Sequence, residues 1–341
     1  MTDNRFDFLE IGDARPPRTV RTVSVPAEGK QASGLLLPGT GSAPTTPLLP
    51  DAEAAPGPRQ WRVAEVIGGR GSGFGEFASP GGLAVDMEGN LYVADSYNHR
   101  VQRISPQGDV APLGVRGARR GQFVNPQAVV VDPEFRIFVL EQGNHRVQVF
   151  DREGEPLGSF GQVGSGLKQF QNPSGIALGP CCNLYIADTG NRRVSRWARY
   201  GEPLDVIALS PTGGAWFQSP QGVAVGRTGR TFVADRFRHV VLVFNASFQL
   251  ERTIGGFGII AGQFAEPQDL AVDTDGYLFV AEVANHRVQV FDPAGRSIQI
   301  VSEMGNLGAL RGPTGVAVAP NGWVYIADTG NHRIFRLERT S

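Results

Sequence analysis

The chain has 341 residues, a formal net charge of −1 and 41% hydrophobic residues. That is enough apolar material for one large core or two modest ones, and the near-zero charge gives no general attraction for nucleic acid or anionic lipid. Two adjacent cysteines, Cys181 and Cys182, exclude a disulfide scaffold and read as free thiols in a surface turn, while no run of about 18 apolar residues offers a helical membrane span.

Residues 1–58 are rich in Pro, Ala, Gly, Ser and Thr. They cannot bury enough apolar surface to offset about 1–2 kcal/mol of backbone entropy per residue, so a disordered leader and linker is expected. The opening MTDNRFDFLEIGD lacks a basic stretch followed by an apolar one, so no secretory signal is read and a cytoplasmic location is expected. Two islands interrupt the leader. FDFLEIG, Phe6 to Gly12, and the alternating RTVRTVSV, Arg18 to Val25, each have the makings of a docking motif that folds on a partner or on the protein's own surface.

From Trp61 the chain is periodic. Pro80, Pro126, Pro173, Pro220, Pro267 and Pro313 recur every 46 or 47 residues, a period typical of architectures in which each unit is one small antiparallel sheet. Each unit reads as four strands. An inner strand such as GLAVD (Gly82 to Asp86) is followed by a tight turn, then LYVAD, then a turn and third strand such as SYNHRVQRI, and last an outer strand before a Gly-rich connection. These apolar runs suit strands covered on both faces, and each Val, Ile, Leu or Phe buried contributes about 1.5–3 kcal/mol. One unit cannot cover itself, whereas six arranged radially can.

The expected fold is therefore all-β. Residues 59–341 form a six-bladed β-propeller of four-stranded antiparallel blades. The sixth unit stops after its third strand, and WRVAEVI, Trp61 to Ile67, supplies the missing outer strand, which leaves no half-finished blade.

The units P-x-G-x-A-V-D, L-Y-V-A-D and N-H-R-V-Q-V-F resemble the NHL repeat over residues 61–340. Its Asn-His pair stands at Asn98-His99, Asn144-His145, Asn285-His286 and Asn331-His332. Blades three and four depart from it with Asn191-Arg192 and Arg238-His239. The resemblance implies the propeller fold. Function is less constrained, because this repeat serves enzymes, RNA binders and protein-interaction modules alike.

All five histidines occupy one repeat position, with Arg192 in the sixth slot. At a strand spacing of about 4.8 Å that turn lies about 12 Å from the axis, too far apart for nitrogens that zinc holds at about 2.0–2.1 Å. The histidines are thus read as structural. Arg100, Arg146, Arg193, Arg287 and Arg333 are read as bonding to the adjoining blade, with Asp95, Glu141, Asp188, Asp235, Glu282 and Asp328 as available carboxylates.

Nearest the axis are the residues after each ruler proline: Gly81, Gln127, Ser174, Gln221, Gln268 and Thr314. In peptidyl-α-hydroxyglycine α-amidating lyase, which has the same repeat, several of these positions are histidine zinc ligands; here none is. Tyr97 matches that family's tyrosine without the metal site. The collar of amides and hydroxyls suits a peptide backbone or a sugar, with Asp269 the one acidic residue beside it.

Trp216 and Phe217 in TGGAWFQSP are expected to be exposed, and Arg116, Arg119 and Arg120 form a local basic loop. No nucleophile elbow, P-loop or H-E-x-x-H occurs. The leading expectation is a monomeric, non-enzymatic scaffold without metal or cofactor. It would hold a protein or peptide through Gln127, Ser174, Gln221, Gln268, Asp269, Thr314, Tyr97, Trp216 and the irregular Arg192 and Arg238. A metal-dependent lyase or lactonase is the alternative, and single-stranded RNA binding a further one.

Overall fold

The computed structural model describes residues 22–24, 59–208 and 213–340. Five four-stranded antiparallel sheets and one five-stranded sheet form the six blades. Blade one consists of Pro80–Val85, Leu91–Asp95, Arg100–Ile104 and Val110–Leu113, and the later blades repeat it. Each innermost strand packs against those of both neighbouring blades, and that of blade six, Gly315–Val318, packs against Pro80–Val85, so the ring is closed.

Closure follows the expected pairing. Gln60–Ile67 lies antiparallel to Arg333–Thr340, with Gln60 opposite Thr340 and Ile67 opposite Ile334. Outside it lies one more short strand. Thr22–Ser24 pairs with Glu65–Ile67, so three residues of the leader expected to be disordered are in a sheet. The reason is legible in RTVRTVSV, whose alternating β-branched residues suit an edge strand. FDFLEIG and most of the leader lie outside the described residues.

The core is divided into six apolar clusters, each between adjacent blades. Ile67, Ala317 and Tyr325 of blade six meet Leu83, Leu91 and Val93 of blade one, and Phe279 and Val288 of blade five meet Val316 and Val324 of blade six. Three residues before the ruler proline stand Phe77, Phe123, Phe170, Phe217 and Phe264, with Leu310 in the sixth copy, all buried. The preceding glycines make room for these rings. At Gly255, whose φ is +92°, a Cβ would sit 2.2 Å from Phe264. Phe217 is therefore the blade-four member of a core series rather than an exposed contact residue. Its neighbour Trp216 is also corrected, since it is half-buried and packs edge-on against Phe244 at 5.6 Å.

The turn between the first two strands needs positive φ at its fourth residue. Gly89, Gly229, Gly276 and Gly322 supply it at +82° to +88°, and Phe135 and Cys182 adopt +62° and +58° in their place. Among the described residues no helix is long and apolar enough to cross a membrane.

Candidate functional site

One face of the ring carries the starts of the inner strands, the motif turns and the connections; it is called here the collar face. In each motif turn the histidine closes a tight turn in the left-handed region, with φ of +52° to +57°. Its Nδ1 then accepts a hydrogen bond from the backbone N–H just before the next blade's ruler proline. The pairs are Asn125 to His99 at 3.1 Å, Asn172 to His145 at 3.1 Å, Glu266 to His239 at 3.1 Å, Gly312 to His286 at 2.9 Å and Ser79 to His332 at 3.0 Å.

Five of six blade junctions are latched in this way. At the remaining one Arg192 replaces histidine, and the matching Ser219 N–H donates instead to Asp235 Oδ1 at 3.1 Å. The exception is thus compensated within blade four. Nδ1 can accept only in neutral imidazole, and burial, with Arg116 nearby, holds His99 below its ordinary value.

The arginines bond within their own blade, which corrects the expected contact with the adjoining one. Each Nε donates to the buried carboxylate ending the second strand: Arg100 to Asp95, Arg146 to Glu141, Arg193 to Asp188, Arg287 to Glu282 and Arg333 to Asp328, at 2.5–2.8 Å. A terminal nitrogen reaches carbonyls of the preceding connection, as Arg193 does at Gly166 and Gln169. Blade four, with Val240, manages otherwise: Asp235 accepts the N–H groups of Gln218, Ser219 and Arg238. The repeated polar residues are therefore committed to holding turns and connections.

What remains is the axial cavity of about 230 Å³, lined by Gln127, Ser174, Gln268, Asp269 and Thr314 above a wall of Val85, Val131, Leu178, Val225, Val272 and Val318. Two members of the collar are less available than their chemistry suggests. The Ser174 hydroxyl lies 2.6 Å from that of Thr189 and donates to the Gln221 carbonyl at 2.9 Å; Thr314 is 2.6 Å from the Thr329 hydroxyl, which donates to the Pro80 carbonyl. Gln221 donates to Ser219 and accepts from Gln268 at 3.1 Å. Since an amide has two donors and an acceptor oxygen with two lone pairs, Gln268 keeps bonding capacity, and Gln127 lines the same cavity.

Asp269 stands where the other blades have Gly82, Ala128, Gly175, Gly222 and Gly315. These small residues let neighbouring inner strands approach: a Cβ on Gly222 would lie 2.6 Å from Asp269 Cα. Asp269 uses its side chain to reach blade six, where Oδ2 accepts the Val316 N–H at 3.0 Å. Although it borders the cavity, burial pushes its carboxyl up to about 7, against the lowering by the Val316 and Leu270 amides.

The zinc arrangement of the amidating lyase requires several nitrogen ligands, and this donor set of amides, hydroxyls and one carboxyl does not fit it. Among the described residues no three His, Cys, Asp or Glu side chains are grouped to hold a metal ion.

The structure does not bring all expected residues together. Tyr97, 71% exposed, and Arg192 and Arg238, also exposed, stand on motif turns out from the mouth. Arg116, Arg119 and Arg120 are exposed on their connection. Cys181 and Cys182 are free thiols at the opposite mouth, where they line a second cavity of about 330 Å³ with Met87 and Pro133.

A family model described as NHL repeat matches residues 77–104, 264–291 and 310–337. No curated protein matches the sequence. Among solved structures, similarity is found to a structural genomics protein of unknown function from Bacteroides thetaiotaomicron, with 17% identity over 83% of this chain and 76% of that one and a TM-score of 0.67. A gluconolactonase from Xanthomonas campestris is 15% identical over 78% and 88% of the two chains, with a TM-score of 0.60. A chain of a nidogen/laminin complex is 17% identical over 65% and 79%, with a TM-score of 0.52. At such identities the likeness is one of fold.

Proposed function

Since the chain is a six-bladed β-propeller carrying NHL repeats, we propose that it is a non-enzymatic interaction scaffold, monomeric and cytoplasmic, that holds a protein or peptide through its collar face. The observation that carries this reading is the composition of that face. Gln127 and Gln268 line the mouth, and the turns and connections outside it expose large apolar side chains, among them Tyr97 and Phe257 at 71% and 73%. Apolar groups rimmed by polar ones mark interaction surfaces, and amides suit the donors and acceptors of a peptide backbone. A chain of a nidogen/laminin complex is similar in fold, which lends the reading an analogy of fold.

The test is photo-crosslinking in cell extract from a benzophenone residue placed at Tyr97, with Met87 on the opposite face as control. A discrete adduct from position 97 alone is expected; no adduct, or the same adducts from both positions, would sink the proposal.

A small-molecule enzyme of lactonase type is the second reading, favoured by one observation: a half-buried carboxyl, Asp269, beside an axial cavity in a fold shared with a gluconolactonase. It requires bound divalent metal, so elemental analysis of purified protein finding none would eliminate that version. RNA binding would use Arg116, Arg119 and Arg120 and weaken steeply with salt.

A further inference from the structure

The collar face is not uniform. Its largest exposed apolar group lies over blades four and five, where Phe257, Ile259 and Ile260 of one connection are 73%, 75% and 64% exposed and Phe237 of the blade-four motif turn is 56% exposed. His239, two residues after Phe237 in the same motif turn, has its ring 4.9 Å from that of Phe257. The Ile259 and Ile260 carbonyls are held by Arg287 of blade five, so the two side chains are displayed by a fixed backbone. Arg238, next to Phe237 in the motif turn, and Arg311, in the connection from blade five to six, are exposed, and neither has a carboxylate partner among the described residues. Such a surface fits a peptide that alternates apolar and acidic residues.

The chain contains one. FDFLEIGD, residues 6–13, offers Phe6, Phe8, Leu9 and Ile11 with Asp7, Glu10 and Asp13. We propose that this segment docks in cis on the collar face across blades four to six, as a tethered peptide covering part of the surface assigned above to partners. The proposal rests on that assignment.

Two observations support a cis occupant. Thr22 is paired with Ile67, after which Gly68 opens a connection on the collar face, so residues N-terminal to Thr22 leave at the rim of this face. From there the apolar group lies on the next blades round the ring, five and then four, and the eight residues 14–21 span about 26 Å when extended, with residues 6–13 running on beyond them. The aliphatic Ile259 and Ile260 offer no flat surface for base stacking, which favours a peptide over single-stranded RNA.

The test uses the full chain and a fluorescein-labelled synthetic peptide of residues 3–14. A tethered segment competes at an effective concentration of about millimolar, so the F6S/F8S/L9S variant should bind the peptide about 10-fold more tightly than the unaltered chain. Adding R238E and R311E to that variant should abolish the gain. Equal binding by the variant and the unaltered chain overturns the proposal, and so does binding of a labelled uridine decamer but not of the peptide. As a check that needs no disruptive substitution, a benzophenone residue at position 8 should give an intramolecular adduct in the segment 255–264. Adducts only with a second copy or another protein overturn the cis docking. Adducts from position 97 with another protein would survive either failure, so the scaffold reading is judged separately.

Discussion

The side-chain amide of Gln299 on blade five binds both backbone groups of Trp61 on blade six: the Trp61 N–H donates to Oε1 at 2.8 Å, and Nε2 donates to the Trp61 carbonyl at 2.7 Å. Trp61 lies on the outer strand of the closing blade, beyond the reach of Thr22–Ser24, so an amide side chain does there what a neighbouring strand would do. Gln299→Leu leaves a donor and an acceptor unpaired and should cost about 1–2 kcal/mol, with faster hydrogen exchange at the Trp61 amide. Unchanged exchange would show that solvent or another group serves equally well.

Ring closure predicts unequal truncations. Deleting residues 61–68 removes the partner of Arg333–Thr340 and should lower the melting temperature sharply. Deleting residues 1–50 removes three residue pairs at one edge and should have a small effect. Calorimetry showing equal tolerance would refute the closure.

The His99 latch predicts a pH dependence. The unfolded chain protonates His99 at about 6.5, whereas burial holds the folded value lower. Below about pH 6.5 the unfolded state therefore binds more protons, and the contribution to stability is lost as pH falls through the folded value. His99→Asn tolerates the left-handed conformation and offers a carbonyl that does not titrate. Urea midpoints at pH 7.5 and pH 5 should differ less in this variant than in the unaltered chain; an identical difference would discount His99.

Arg193→Met should be far more damaging than an exposed arginine substitution. Asp188 is buried and keeps bonds from Gln171 and Asn191, but losing its cation leaves an uncompensated charge worth about 3–5 kcal/mol. Chemical denaturation measures this directly. A loss under about 1 kcal/mol would mean that backbone donors suffice, as they do for Asp235.

Asp269 runs opposite to His99. Its folded carboxyl titrates at about 7 against 3.8 for the unperturbed group, so the folded state binds the extra proton, and that stabilisation fades as pH rises from about 4 to 7. Asp269→Asn keeps an acceptor for Val316 and cannot ionise. It should be more stable than the unaltered chain at pH 8 and no more stable at pH 4; equal denaturation midpoints at pH 8 would contradict a raised value.

The ring was legible because six prolines at constant spacing state a symmetry, and WRVAEVI visibly completed the one short unit. The structural reading of the histidines was legible from radius alone. The collar was harder, because hydroxyls at Ser174 and Thr314 are consumed by Thr189 and Thr329, a relation across strands that spacing does not report. Phe217 carries its signal in the sequence: it sits three residues before Pro220, as Phe77 does before Pro80, and this repeat position, not its setting in a Gly-rich loop, decides that it is buried. At Asp269 the charge is visible in the sequence, but the informative fact is steric, since every counterpart is glycine or alanine.

Closure of the ring also has a consequence in time. Gln60 and Thr340, which share a hydrogen bond, are 280 residues apart, and a ribosome adding about 5–20 residues per second needs roughly 15–55 s between them. Through that interval Gln60–Ile67 is a strand with its main partner unmade, and the strand already synthesised that pairs with it is Thr22–Ser24. A nascent chain thus has Thr22–Ser24 available to pair with one edge of Gln60–Ile67 before the last blade arrives to pair with the other.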